Sequence, residues 1–278
     1  MRALLIEIGL VVAVAFGLAI GYMLWGTPTN WYAAVPDVAK LGPGAENDLI
    51  RYGKQLIVDT PRHIGKNATD PAMRYAGNNL SCQNCHLNAG LQPFAAPFDS
   101  TFATFPMFVD DKVITLTERI NGCMRRSLNG KDLPHENRAM EALIAYFQFV
   151  GKGTPEGVRI AGMGLRPIAQ PEEPPDARRG EAVYGQLCVT CHKPDGQGER
   201  AKDGIGYAIP PLWGEASFNA GAGYGENRVR RLLYPGQHAV RGFLSRARAH
   251  RAAAWDVAAY MISKPHPPAP SETEAELQ

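Results

Sequence analysis

Two runs of the form C-x-x-C-H constrain this chain more than any other feature: Cys82-Gln83-Asn84-Cys85-His86 and Cys188-Val189-Thr190-Cys191-His192. The spacing lets both thiols reach the two vinyl groups of one haem, while the adjoining histidine turns under the iron as proximal ligand. One such run also fits a chance match or a thioredoxin-like redox pair. Two, each preceded by a helix-like segment, point to two haems c, covalently attached. Of the five cysteines, that leaves Cys123 over. In an oxidising compartment a leftover thiol signals reactivity or ligation; otherwise it serves as a small buried hydrophobe.

Residues 8–25 carry no charge, and with Leu4, Leu5 and Ile6 they approach the ~20 apolar residues that span a bilayer. Arg2 precedes the run and no Lys or Arg follows until Lys40, so the N-terminus is expected in the cytoplasm. A cleaved signal peptide is the competing reading, but its apolar core is shorter, roughly 7–15 residues. Either way the remainder is exported, as haem c attachment requires. The expected location is the bacterial cytoplasmic membrane, single-pass, with soluble domains in the periplasm. A net charge of +2 gives no case for nucleic acid as a partner.

The 278 residues divide into a transmembrane anchor (1–25), a Pro- and Gly-rich linker (26–45), a first domain (46–150), a second linker (151–175), a second domain (176–266) and a tail (267–278) expected to be disordered. In the first domain a helical pattern runs through Leu49, Ile50, Leu56 and Ile57 until Thr60-Pro61-Arg62 ends it. Residues 116–128 and 140–150 read as further helices. The second domain repeats the plan, with a helix from Ala177 into Cys188 and a closing helix over 252–261. A helix leading into C-x-x-C-H, loops around haem and an aromatic-bearing final helix resemble the class I cytochrome c fold. The expected fold is therefore all-α, with two tandem domains of that kind.

A closer resemblance rests on longer stretches. They are Leu80-Ser81-Cys82-Gln83-Asn84-Cys85-His86-Leu87-Asn88-Ala89-Gly90, Ala95-Ala96-Pro97, Phe105-Pro106, and Glu118-Arg119-Ile120-Asn121-Gly122-Cys123 with Arg126-Ser127 and Asn129-Gly130. In the second domain they are Pro210-Pro211-Leu212-Trp213-Gly214, Ser217-Phe218-Asn219 and Gly221-Ala222-Gly223. Together they are similar to the dihaem thiosulfate dehydrogenases over roughly residues 46–266. The resemblance implies an oxidoreductase that joins two thiosulfates into tetrathionate. It implies axial ligation of the first haem by His86 and Cys123, with Cys123 also receiving a thiosulfate sulfur, Arg119 binding the anion and Ser127 hydrogen-bonding the sulfonate. Physically, a thiolate needs nearby positive charge, which Arg119, Arg125 and Arg126 supply, and arginines suit a dianion. Arg125 taken alone also reads as part of a solvated helix face.

Two positions depart from the family pattern. Arginines usual shortly after the Phe-Pro pair are replaced here by Val109-Asp110-Asp111, with Lys112 as the nearest cation. No methionine lies between His192 and Met261; Met261 is expected to fill the core, and His238 is taken as distal ligand of the His192 haem, ahead of His250 and Lys202. The arginines from 228 to 251 read as a solvated helix face, or as a docking surface for an acidic acceptor or anionic lipid. An acceptor cytochrome or other redox protein is the expected partner. The alternative function is a non-catalytic dihaem electron-transfer subunit of a respiratory or photosynthetic complex.

Overall fold

The computed structural model describes residues 35–109, 111–156, 160–165, 171–222 and 249–269, together with Val14, Phe16 and Gly17. The proposed anchor falls almost wholly outside the described residues. Among those described, no helix is long and apolar enough to cross a membrane. His238 and nearly all of the arginine-rich stretch also lie outside them.

In the first unit, α1 (Ala45–Val58) packs against α4 (Arg138–Val150). The amphipathic pattern turns Ile50, Leu56 and Ile57 into a core with Met140, Leu143, Tyr146 and Phe147. Gly53 lets the two helices touch. A Cβ there would lie 2.0 Å from the Ala142 carbonyl oxygen and 2.7 Å from the Tyr146 Cβ. In the second unit α5 (Ala177–Leu187) meets α6 (Ala249–Ile262) in the same way. There a Cβ on Gly180 would lie 1.9 Å from the Asp256 carbonyl oxygen and 2.8 Å from the Tyr260 Cβ. The duplication inferred from motifs is thus a duplication of helix crossings, each made of glycine against a backbone carbonyl and an aromatic one turn on. Tyr184, Trp213 and Tyr260 form the aromatic centre of the second core, and Met261 is buried in it as filler.

Some local expectations are corrected. The helix leading to the first haem motif breaks at Asp59, and Thr60-Pro61-Arg62 opens a new helix, α2 (Thr60–Ile64). Pro61 sits in its first turn, where a missing N–H costs no intrahelical bond. The described residues are helical in their packing but carry two small antiparallel hairpins. Strands β1 (Met107–Val109) and β2 (Lys112–Ile114) form one, and β3 (Glu199–Arg200) and β4 (Tyr207–Ile209) the other. The stretch after α6 is pinned at least as far as Pro267, whose carbonyl accepts from the Ala220 N–H at 2.9 Å.

The helix that matters most for chemistry is α3 (Leu116–Arg126). Its start follows from Thr115 and Glu118, which cap reciprocally. The Glu118 N–H donates to the Thr115 hydroxyl at 3.2 Å, and the Thr115 N–H to the Glu118 carboxylate at 2.6 Å.

Candidate active site

Residues 119, 123, 126 and 127 follow helical i, i+4, i+7, i+8 spacing, so α3 and its C-terminal cap carry Arg119, Cys123, Arg126 and Ser127 on one face. That face lines two adjoining cavities. The first, about 220 Å³, is mainly apolar and is walled by Cys82, Cys85, His86, Phe98, Cys123 and Phe147 among others. The second, about 240 Å³, is lined by Cys123, Arg119, Arg126 and Ser127, with Leu165 and Ala222 beyond them. Cys123 and His86 belong to both.

Each C-x-x-C-H run is held by groups outside it, mostly backbone carbonyls. The Cys82 N–H donates to Thr60 Oγ1 at 3.0 Å, and Gln83 Nε2 donates to the Val58 carbonyl at 2.9 Å. His86 Nδ1 lies 2.7 Å from the Ala96 carbonyl oxygen and the ring packs on Phe98 at 4.5 Å. With Nδ1 engaged by a carbonyl, Nε2 is the nitrogen left for a metal. In the second unit His192 Nδ1 is 3.0 Å from the Pro210 carbonyl oxygen, which repeats the device.

The thiols separate into two kinds. Burial pushes Cys82 and Cys188 up to about 11. Burial acts on Cys123 too, but a hydrogen bond with His86 and the positive charge of Arg119, His86 and Arg126 outweigh it, bringing this thiol from 9.0 down to about 7. Cys123 is therefore a thiol biased toward thiolate, hydrogen-bonded to the His86 imidazole on the lining of the apolar cavity. His86 and Cys123 are the donors that would serve a haem iron here, with Cys82 and Cys85 lining the same cavity for covalent attachment. Among the described residues no group of three or more His, Cys, Asp or Glu could hold a bare metal ion.

Several expectations are sharpened. Arg125 lines neither cavity and pairs with Asp132 at 2.5 Å. Lys112 sits exposed on the β1–β2 hairpin and lines neither cavity. Other wall residues escaped the sequence reading. Met163 and Gly164 arrive because the second linker folds back, its Gly162 and Gly164 carbonyls accepting from the Phe94 and Ala96 N–H groups at 2.7 and 2.9 Å. Phe218 and Ala222 come from the second unit.

Two helical units in tandem, each with a crossed helix pair and a histidine fixed by a carbonyl beside two thiols, define a c-type cytochrome with two covalently attached haems. Family models agree. The SoxA/TsdA cytochrome c domain matches residues 73–155 and the cytochrome c domain matches residues 177–264. Thiosulfate dehydrogenase of Stutzerimonas stutzeri is 32% identical over 89% of this chain and 77% of its own length. That of Allochromatium vinosum is 34% identical over 92% and 93%. The solved thiosulfate dehydrogenase (TsdBA) of Marichromatium purpuratum, as isolated, superposes with a TM-score of 0.71 at 30% identity, over 82% of this chain and 48% of that longer one. The chain belongs to the thiosulfate dehydrogenase family and is an oxidoreductase of that kind.

Proposed function

We propose that the chain oxidises thiosulfate to tetrathionate on the face of α3, in the periplasm, tethered by residues 1–25. The observation that carries this reading is Cys123, a thiol of lowered pKa, opening onto a cavity lined by Arg119, Arg126 and Ser127. Two guanidinium groups and a hydroxyl match the sulfonate end of thiosulfate, offering charge-assisted hydrogen bonds to its oxygens. The sulfane sulfur is then directed at Cys123 Sγ. Joining two thiosulfate dianions forms one S–S bond between their sulfane sulfurs and releases two electrons, with no proton gained or lost. The haems, when bound, supply the one-electron acceptors that take these electrons on toward an acceptor cytochrome or other redox protein.

In this reading Cys82 and Cys85 would hold the first haem by thioether bonds, with His86 and Cys123 as the residues that would serve its iron. Cys188 and Cys191 would hold the second, whose iron His192 and His238 would serve. Replacing Cys123 by Ala is expected to abolish thiosulfate-dependent reduction of an acceptor while both haems remain attached. Full activity in that variant would overturn the mechanism.

A second reading, a dihaem electron carrier without turnover, draws support from the exposed Lys112, which leaves the missing arginine uncompensated. Addition of thiosulfate to the oxidised protein separates the two. Reduction of haem with tetrathionate as product supports the enzyme, and no spectral change supports the carrier.

A further inference from the structure

The last turn of α3 raises a question of hydrogen-bond accounting. A helix leaves its final four carbonyls without intrahelical partners, here those of Cys123, Met124, Arg125 and Arg126. The first two are satisfied by the chain that follows. The Ser127 and Leu128 N–H groups donate to the Cys123 carbonyl at 2.8 and 3.1 Å, and the Gly130 N–H donates to that of Met124 at 2.9 Å. The last two are satisfied by one residue of the other unit. Asn219 Nδ2 donates to the Arg125 carbonyl at 2.9 Å, and the Asn219 N–H donates to the Arg126 carbonyl at 3.1 Å.

Asn219 is itself rigidly held. It is 2% exposed; its Oδ1 accepts from the Gly221 N–H at 3.0 Å, and its carbonyl accepts from the Ala222 N–H at 3.0 Å. The loop around it is fixed from both sides. The Ser217 carbonyl accepts from Asn78 Nδ2 at 3.1 Å and Asn129 Nδ2 at 2.7 Å, both in the first unit. Behind the loop, the Phe218 ring stacks on His266 at 4.7 Å, and the Ala220 N–H reaches the Pro267 carbonyl. Held this way, the loop delivers Phe218 to the cavity of Cys82 and His86, and the buried Ala222 to the cavity of Arg119, Arg126 and Ser127.

We propose that the 217–222 loop of the second haem unit completes the active site of the first. Asn219 is a positioning residue that fixes the end of α3 carrying Cys123, and Ala222 is a specificity-determining residue that sets the size of the anion cavity. The catalytic pocket is then a two-unit structure, although its thiol, histidine and arginines all come from one. The Ala222 part rests on the reading of that cavity as the thiosulfate site; the Asn219 part concerns ligation by Cys123 and does not require turnover.

The test uses the full-length holoprotein in three variants. Asn219→Ala removes both the donor to the Arg125 carbonyl and the acceptor that shapes the loop. Asn219→Asp keeps the acceptor for the Gly221 N–H and replaces the donor to the Arg125 carbonyl with a carboxylate oxygen. The readouts are the electron paramagnetic resonance and near-infrared signature of thiolate ligation and the potential of the first haem, all measured without thiosulfate. Both variants are expected to shift the signature and the potential. A wild-type signature and potential in Asn219→Asp would overturn the positioning role, because the loop turn alone would then suffice.

Ala222→Leu fills the anion cavity and is expected to raise the KM for thiosulfate by about tenfold or more, the scale of a misfitted apolar group in a pocket. Its thiolate signature should stay as in wild type. An unchanged KM would overturn the size-setting role. If wild-type protein shows no thiosulfate turnover, the substrate reading and the Ala222 assignment fall together, while the Asn219 measurements still decide the other half.

Discussion

Among single residues, Asp99 is the one whose chemistry is least comfortable. Its side chain is fully buried, and neither carboxyl oxygen has a hydrogen-bond partner among the described residues. Its neighbour Phe98 packs on both His86 and Phe147, so this carboxyl belongs to the shell behind the first haem cavity. Burial pushes it from 3.8 up to about 7. The folded state therefore binds this proton more tightly than the unfolded chain does. Linkage then makes the contribution of Asp99 most favourable below about pH 4, falling as pH rises toward about 7 and level beyond. Asp99→Asn is expected to remove that component. In urea unfolding of the holoprotein, the stability difference between variant and wild type should grow from pH 5 to pH 8, the variant being the more stable at the upper end. A difference independent of pH would show that the carboxyl is ionised in the fold throughout.

The residues that bind through local spacing were legible in the sequence, namely the two C-x-x-C-H runs and the i, i+4, i+7, i+8 face of Cys123. Asp99 was not. A lone aspartate in a Pro- and Phe-rich loop carries no periodic signal, and its burial is decided by packing from Gly151 and Thr154, whose hydroxyl donates to the Asp99 carbonyl at 2.7 Å.

Among elements, the long helices follow from apolar periodicity, and their ends shift for identifiable reasons. The expected helix over 116–128 ends at Arg126, although the Ser127 and Leu128 N–H groups still bond back to Cys123. The β1–β2 hairpin was missed because Met107, Phe108 and Val109 form an unbroken apolar run rather than an alternation. Its turn also relies on Asp111 at φ 62, where a glycine would have been the signal. The two helix crossings were half legible. The repeat of helix and motif suggested them, but the glycines that permit them look like ordinary helix interiors.

Gly180→Ala tests how much such a crossing depends on close approach. Alanine is the better helix former by roughly 1 kcal/mol. Yet its Cβ would lie 1.9 Å from the Asp256 carbonyl oxygen, a backbone atom that cannot rotate away. Overpacking of this kind costs about 1–3 kcal/mol, so the steric effect should win. The holoprotein variant is expected to unfold at lower urea with little change in the slope of the transition. Equal or greater stability would mean that the helices part at no cost.

For the whole molecule, the linker between the units is a poor guide to their relationship. Its glycines and prolines predicted a linker, yet residues 160–165 fold back on the first site, and the units are joined by buried polar contacts that no sequence periodicity announces. Ser217 is fully buried and its carbonyl takes two amide donors from the first unit. Asn219 closes α3 from the second. Arg62 pairs with Asp203 at the margin, but an exposed pair of this kind contributes little. The buried contacts are the ones that count, since leaving a buried carbonyl without a donor costs about 1–3 kcal/mol. Two consequences can be measured together. Wild-type holoprotein should unfold in a single calorimetric transition, because unfolding either unit breaks the buried hydrogen bonds to the Ser217, Arg125 and Arg126 carbonyls. Replacing both Asn78 and Asn129 by Ala strips Ser217 of its donors and should split that transition into two, with the haem bands of the two units changing at different temperatures. Two transitions already present in the wild type would mean that the units are stable neighbours rather than one cooperative body. A single transition persisting in the double variant would assign the coupling to Asn219 and the apolar contacts of Phe218 instead.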